Sequence, residues 1–169
     1  MPGQKFLTNN AGSITEIVAP QTSVGAGDAG KLTALDSSGR LDTSFLPTGI
    51  GADTAAIVSS ENLAAGDFVN IWNDAAAFKV RKADATVAGK EAHGFVLAAV
   101  TSPANATVYF EGSNTAVTGA TPGKQFLSTT AGGFTATAPS GSGNVVQRVG
   151  YAVSATVINF QSLTPFVLA

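Results

Sequence analysis

The chain has 169 residues, a formal net charge of −2, and 12 % charged side chains against 44 % hydrophobic ones. That balance supplies no basic face for nucleic acid or an anionic membrane, and it is too apolar for a wholly disordered chain. The absence of cysteine removes disulfide staples and thiol chemistry, while a single histidine, His93, leaves little for acid–base or metal work.

This length predicts one domain with an appendage. Residues 1–53 read as an extended N-terminal arm. Their apolar residues come in pairs: Phe6–Leu7, Ile17–Val18, Leu32 with Leu35, and Phe45–Leu46, between Gly-, Asn- and Ser-rich stretches. None keeps a period of 3.6 or 2.0 long enough to define an element, apart from a short helical turn over Thr43–Leu46 stopped by Pro47. About 50 extended residues reach up to roughly 165 Å, well beyond their own domain. Met1–Thr8 lacks an apolar segment of signal-peptide length, and no run approaches about 18 apolar residues. The expectation is synthesis in a cytosol.

Residues 54–160 carry strand signals in quick succession. Ala56–Ser59 is a short apolar run. Asp67–Trp72 alternates polar and apolar residues, Asn73–Asp74 supplies a turn, and Phe78–Arg81 alternates again, which predicts a hairpin. His93–Leu97, Ala106–Phe110, Gln125–Ser128, Phe134–Thr137, Val145–Ala152 and Ala155–Phe160 follow, separated by Gly, Pro and Asn. Strands at about 8–12-residue spacing with turn chemistry between them indicate an all-β fold, a small antiparallel β-barrel or sandwich. The tail, residues 161–169, is too apolar to dangle in water and should pack on the barrel or on a neighbour.

Each motif that suggests chemistry has a plainer reading. Gly25-Ala26-Gly27-Asp28-Ala29-Gly30 matches G-x-G-x-x-G, but no strand precedes it and Ser37-Ser38-Gly39 interrupts any helix after it. Asp36-Ser37-Ser38-Gly39 with Asp42 lacks the spacing and terminal glutamate of a calcium loop and reads as a tight turn. His93 has no G-x-S-x-G partner and no cysteines with which to build a zinc site, so a hydrogen-bonded structural role is expected. Lys79 and Arg81 share one strand face while Lys82 takes the other, which suits a solvated edge better than a nucleic-acid stripe. Trp72, Tyr109 and Tyr151 could stack a sugar, but each falls where a core or rim aromatic belongs. The composition therefore predicts a non-enzymatic chain with no cofactor and no metal, whose function lies in contact area.

Several phrases in order resemble the virion surface proteins of tailed bacteriophages. The stretch Gly30-Lys31-Leu32-Thr33-Ala34-Leu35-Asp36-Ser37-Ser38-Gly39-Arg40-Leu41-Asp42, running to Phe45-Leu46-Pro47, is similar to a connector of phage fibre and head-decoration proteins. Ala65-Gly66-Asp67-Phe68-Val69-Asn70, Lys82-Ala83-Asp84-Ala85-Thr86, Gly94-Phe95-Val96, Thr121-Pro122-Gly123 before Phe126-Leu127-Ser128, and Gln147-Arg148-Val149-Gly150 resemble the small β-barrel of capsid decoration (cement) and head-fibre proteins. The likeness covers about residues 25–160.

What the resemblance implies is a homotrimer on the outer capsid of a virion assembled in a bacterial cytoplasm. It would clamp neighbouring copies of a major capsid protein, without nucleic acid or membrane as partner. Phe6, Leu7, Phe45, Leu46, Phe166 and Leu168, apolar residues in segments without regular structure, would then be the inter-subunit anchors. A head-fibre or tail-fibre component that binds a receptor or glycan is the alternative, and a hydrolase or lyase built on His93 is a third class.

Overall fold

Alternation and turn chemistry place most strands where the sequence predicts them, and long-range pairing adds the rest. The computed structural model describes residues 4–46 and 52–169. The chain divides between residues 51 and 52 into two units.

In the first unit, β1 (Lys5–Asn10) and β2 (Ser13–Val18) pair antiparallel, with Phe6 opposite Ile17 and Asn10 opposite Ser13. No element was expected here. Ala11 and Gly12 both adopt left-handed backbone (φ 51° and 90°), and Asn9 Oδ1 accepts the Gly12 N–H at 2.8 Å. That two-residue turn matches the twist of the flanking strands and closes a hairpin whose apolar content is too sparse to show as a run. Two short 3₁₀ turns follow, Gly25–Asp28 and Thr43–Phe45. The second lies within the expected helical turn and is capped by Asp42, which accepts the Ser44 N–H at 2.9 Å. Pro47, expected to stop it, lies outside the described residues.

The second unit is an all-β sandwich. Its strands are β3 (Thr54–Val58), β4 (Phe68–Asp74), β5 (Ala77–Lys82), β6 (Gly94–Phe95), β7 (Asn105–Tyr109) and β8 (Gly112–Asn114). Then come β9 (Gly123–Leu127), β10 (Phe134–Thr135), β11 (Val145–Val146), β12 (Arg148–Ser154), β13 (Val157–Phe160) and β14 (Phe166–Val167). One five-stranded antiparallel sheet runs β3-β7-β6-β4-β5 and a second runs β10-β9-β12-β13-β8. Neither closes into a barrel. The edges of the first sheet touch at one isolated parallel bridge, Ser59 with Val80, where Ser60 donates its N–H to the Val80 carbonyl at 2.9 Å.

The first sheet buries both faces. Phe68, Phe95, Leu127, Val149, Ile158 and Phe160 fill the space between the sheets, while Val69, Val80, Val96, Ala106, Val108 and Leu63 pack on its other side. Phe160 is the hub of the first core, its ring centroid 5.8 Å from Phe68 and 5.6 Å from Phe95. Burying each such side chain contributes about 1.5–3 kcal/mol.

Two local expectations are corrected. The β4–β5 turn is made by Ala75–Ala76, not Asn73–Asp74. Asn73 and Asp74 stay in the ladder opposite Phe78 and Ala77, and Asn73 Oδ1 accepts the Ala76 N–H at 2.8 Å. The single strand expected over Val145–Ala152 is two, β11 and β12, parted at Gln147, whose buried amide pairs with the backbone of Ala92. Within β12, Gly150 holds φ 148° and lies so close to β13 that a Cβ would sit 2.1 Å from the Asn159 oxygen. No larger residue fits there.

Candidate functional site

The strongest surface feature of the first unit follows from its register. Lys5, Leu7 and Asn9 on β1 share one hairpin face with Val18, Glu16 and Ile14 on β2. On that face Leu7 is 70 % exposed, Ile14 65 % and Val18 54 %, beside a Lys5–Glu16 ion pair. The opposite face carries the half-buried pair Phe6 and Ile17. Among the described residues no third strand pairs with this hairpin. A lone two-stranded ribbon is marginal in water and presents unpaired N–H and C=O groups on both edges.

Of the predicted anchors, Leu7 is fully presented, Leu46 is exposed and Phe6 and Phe45 are half-buried. Phe45 closes the 3₁₀ turn and Leu46 follows it, and the Ser23 N–H donates to Ser44 Oγ at 2.7 Å to tie that turn to the preceding loop. Hydrogen bonds from the Ser44 hydroxyl and N–H hold the Asp42 carboxyl below its usual range, and those from Lys31 and the Val24 N–H do the same for Asp28. Phe166 and Leu168 belong to the second unit. There β14 pairs with β11, Phe166 opposite Val146, and Leu168 exchanges backbone hydrogen bonds with the 143–144 loop. Phe166 remains exposed and Leu168 half-buried.

Ile14 was not singled out from the sequence and Val18 only as part of the Ile17–Val18 pair, although both share the face of Leu7. The signal was available: Asn9-Asn10-Ala11-Gly12 is turn chemistry, and folding the chain about it brings 5, 7 and 9 onto one side with 14, 16 and 18.

The second unit holds one charged trough of about 340 Å³, lined by Glu61, Trp72, Arg81, Lys82, Asp84 and Lys90 among others. Several of its charged groups have local partners. Lys90 reaches Asp84 at 3.0 Å, Lys82 reaches Asp67 at 3.4 Å, and Glu61 accepts the Lys82 N–H at 2.7 Å. The Arg81 guanidinium lies 4.6 Å over the Trp72 ring, covering one of its faces. Burial alone would raise the Asp84 carboxyl, but hydrogen bonds from Thr86 and Lys90 outweigh it and hold the group below its usual range.

The remaining motifs settle into local roles. His93 Nδ1 accepts the Ile71 N–H at 3.0 Å, tying the residue before β6 to β4. Asp36 Oδ1 accepts the N–H groups of Ser38 and Arg40, closing a tight turn on itself. The glycine run forms the 3₁₀ turn Gly25–Asp28, with neither the preceding strand nor the long helix a pyrophosphate site requires. Among the described residues no group of three or more His, Asp or Glu side chains could hold a metal ion, and no helix is long and apolar enough to cross a membrane.

Comparison of the chain with protein-family models, with curated proteins and with solved structures returned no match.

Proposed function

We propose that this chain is a non-enzymatic virion structural protein of a tailed bacteriophage, a decoration protein. It binds the outer surface of the head as a homotrimer and bridges neighbouring major capsid subunits. One observation carries the reading: the β1–β2 hairpin exposes Leu7, Ile14 and Val18 on one face and leaves both edges unpaired. A ribbon of this kind gains most by adding to a sheet edge of another chain, where main-chain hydrogen bonds give affinity and alternate side chains give specificity.

The second unit supports the same reading as a rigid body. In and beside its trough Lys90 pairs with Asp84 and Lys82 with Asp67, which suits a body that acts through surface contact. A ligand that binds only the assembled shell stabilises that shell by mass action, and several weak grips on one oligomer add avidity.

Immunogold labelling of phage particles that encode this chain tests the proposal. Gold spread over the heads is the expected outcome. Gold confined to tails would transfer the chain to the fibre class, and unlabelled particles would remove it from the virion.

A further inference from the structure

β6 is two residues long, and its ladder with β4 ends where the His93 N–H donates to the Val69 carbonyl at 2.8 Å. β4 runs on to Asp74, so the next donor on that side, the Ile71 N–H, meets no strand. The His93 ring takes its place, with Nδ1 accepting that N–H at 3.0 Å. Only an unprotonated ring nitrogen can accept from an N–H, which assigns His93 as the neutral imidazole with its proton on Nε2.

That bond belongs to a clasp. Asn70 Nδ2 donates to the Glu91 carbonyl at 2.8 Å, and the backbone of Ala92 exchanges two bonds with the buried Gln147 amide. Residues 91–93 therefore strap β4 to the junction of β11 and β12. Of these bonds, only the one at His93 uses a side chain that ordinarily changes charge between about pH 5 and 8, and His93 is the sole histidine.

We propose that His93 makes this clasp sensitive to pH. Protonation puts a hydrogen on Nδ1 as well, two donors then face each other, and the Ile71 bond breaks. His93 is exposed, so the imidazolium turns into water and β4 beyond Val69 loses its hold on the strap. No acid within ion-pair reach holds the new charge in place, among the described residues. On β5, Arg81 lies opposite Asn70 and Lys79 opposite Trp72, the latter paired with Asp74. Glu91, on the strap itself, accepts the Gly89 N–H, and Arg148 beyond Gln147 lies over the Tyr151 ring. This device operates whether or not the chain sits on a virion.

Nuclear magnetic resonance of the isotope-labelled natural chain tests this without any variant. At about pH 8 a scalar coupling should link the Ile71 amide nitrogen to His93 Nδ1, and at about pH 5 it should vanish. Over the same range the exchange protection of the Ile71 amide, corrected for the intrinsic rate, should fall about three- to tenfold, the worth of one hydrogen bond. The Ala83 amide, which donates to the Phe68 carbonyl on the other side of β4 at 2.9 Å, should keep its protection. The Asp84 carboxyl, held below its usual range, stays ionised throughout this window. His93→Asn supplies an oxygen that accepts at every pH, so Ile71 should remain protected across the range in that variant. Equal coupling and protection at both pH values in the natural chain would overturn the proposal. So would a His93→Asn variant that loses Ile71 protection on acidification as the natural chain does, since another group would then be the sensor. Either result leaves the virion reading to the gold labelling.

Discussion

Gln147 and Ala92, 55 positions apart, are joined as if both were strand residues. The Gln147 side-chain Oε1 accepts the Ala92 N–H at 2.7 Å, and its Nε2 donates to the Ala92 carbonyl at 2.9 Å. The amide thus stands in for a missing stretch of ladder where β11 gives way to β12, and Ser162 Oγ accepts a further bond from Nε2 at 3.0 Å. Gln147→Leu would leave the buried Ala92 N–H unpaired, at a cost of about 1–3 kcal/mol, while the Ala92 carbonyl keeps its bond from Ser162 Oγ at 3.3 Å. Chemical denaturation should show a loss of about 1–3 kcal/mol, whereas Gln147→Glu should retain part of the stability through the oxygen that accepts from Ala92.

Acid stability of the second unit should depend on Asp84. Its folded carboxyl is held below the ordinary value by Thr86 and Lys90, against the opposing effect of burial. A depressed carboxyl contributes stability above the unfolded-state pKa, near 4, and that contribution is lost as pH falls through the folded value. Asp84→Asn should therefore lower Tm at pH 7, and its gap to the natural protein should narrow below about pH 4. A gap that stays constant from pH 7 to 2.5 would refute the ionic role.

Arg81 serves three partners at once: the Trp72 face, Asn70 Oδ1 at 3.0 Å, and the Gly89 carbonyl at 2.7 Å. A lysine offers a point charge where this geometry uses a planar fork. Arg81→Lys should cost about 1–2 kcal/mol, given that a cation–π contact alone is worth about 0.5–2 kcal/mol. Trp72 is the sole tryptophan, so its emission reports on the change directly.

The proposed anchors separate binding from folding. Leu7 is on an exposed face of the first unit, so Leu7→Ser should leave the thermal unfolding of the second unit unchanged. Burial of a leucine is worth about 1.5–3 kcal/mol, and each 1.4 kcal/mol is tenfold in affinity. Leu7→Ser combined with Phe45→Ser should lower occupancy on head shells by more than about tenfold, read by quantitative gel of purified particles. Unchanged occupancy would remove both residues from the interface.

The sequence revealed the second unit far better than the first, for a physical reason. A strand such as β7 faces a core on one side with Ala106 and Val108, and burial there leaves a two-residue period that can be read directly, whereas β4 is buried on both faces from Phe68 to Asn70. The hairpin of β1 and β2 has little core to face, so its apolar residues, Phe6, Leu7, Ile14, Ile17 and Val18, are shared between two faces and keep no period. Elements set by remote partners were equally hidden. β8 exists because Asn114 pairs with Ile158, and β14 because Phe166 meets Val146, neither of which leaves a local pattern. The Ala75–Ala76 turn lies two residues beyond the expected one because alanine is the wrong chemistry for it. Of the six anchors singled out, Leu7, Leu46 and Phe166 are plainly solvent-facing, while Phe6, Phe45 and Leu168 are partly covered.

Phe68 and Val69 are consecutive in the chain, yet they feed hydrophobic clusters on opposite sides of one sheet. Pulling β4 out of register by a single position would swap a ring for a smaller branched group on both sides at once. Neither half of the second unit can melt while the other keeps its shape. Heat or denaturant should thus dismantle residues 52–169 in one cooperative step.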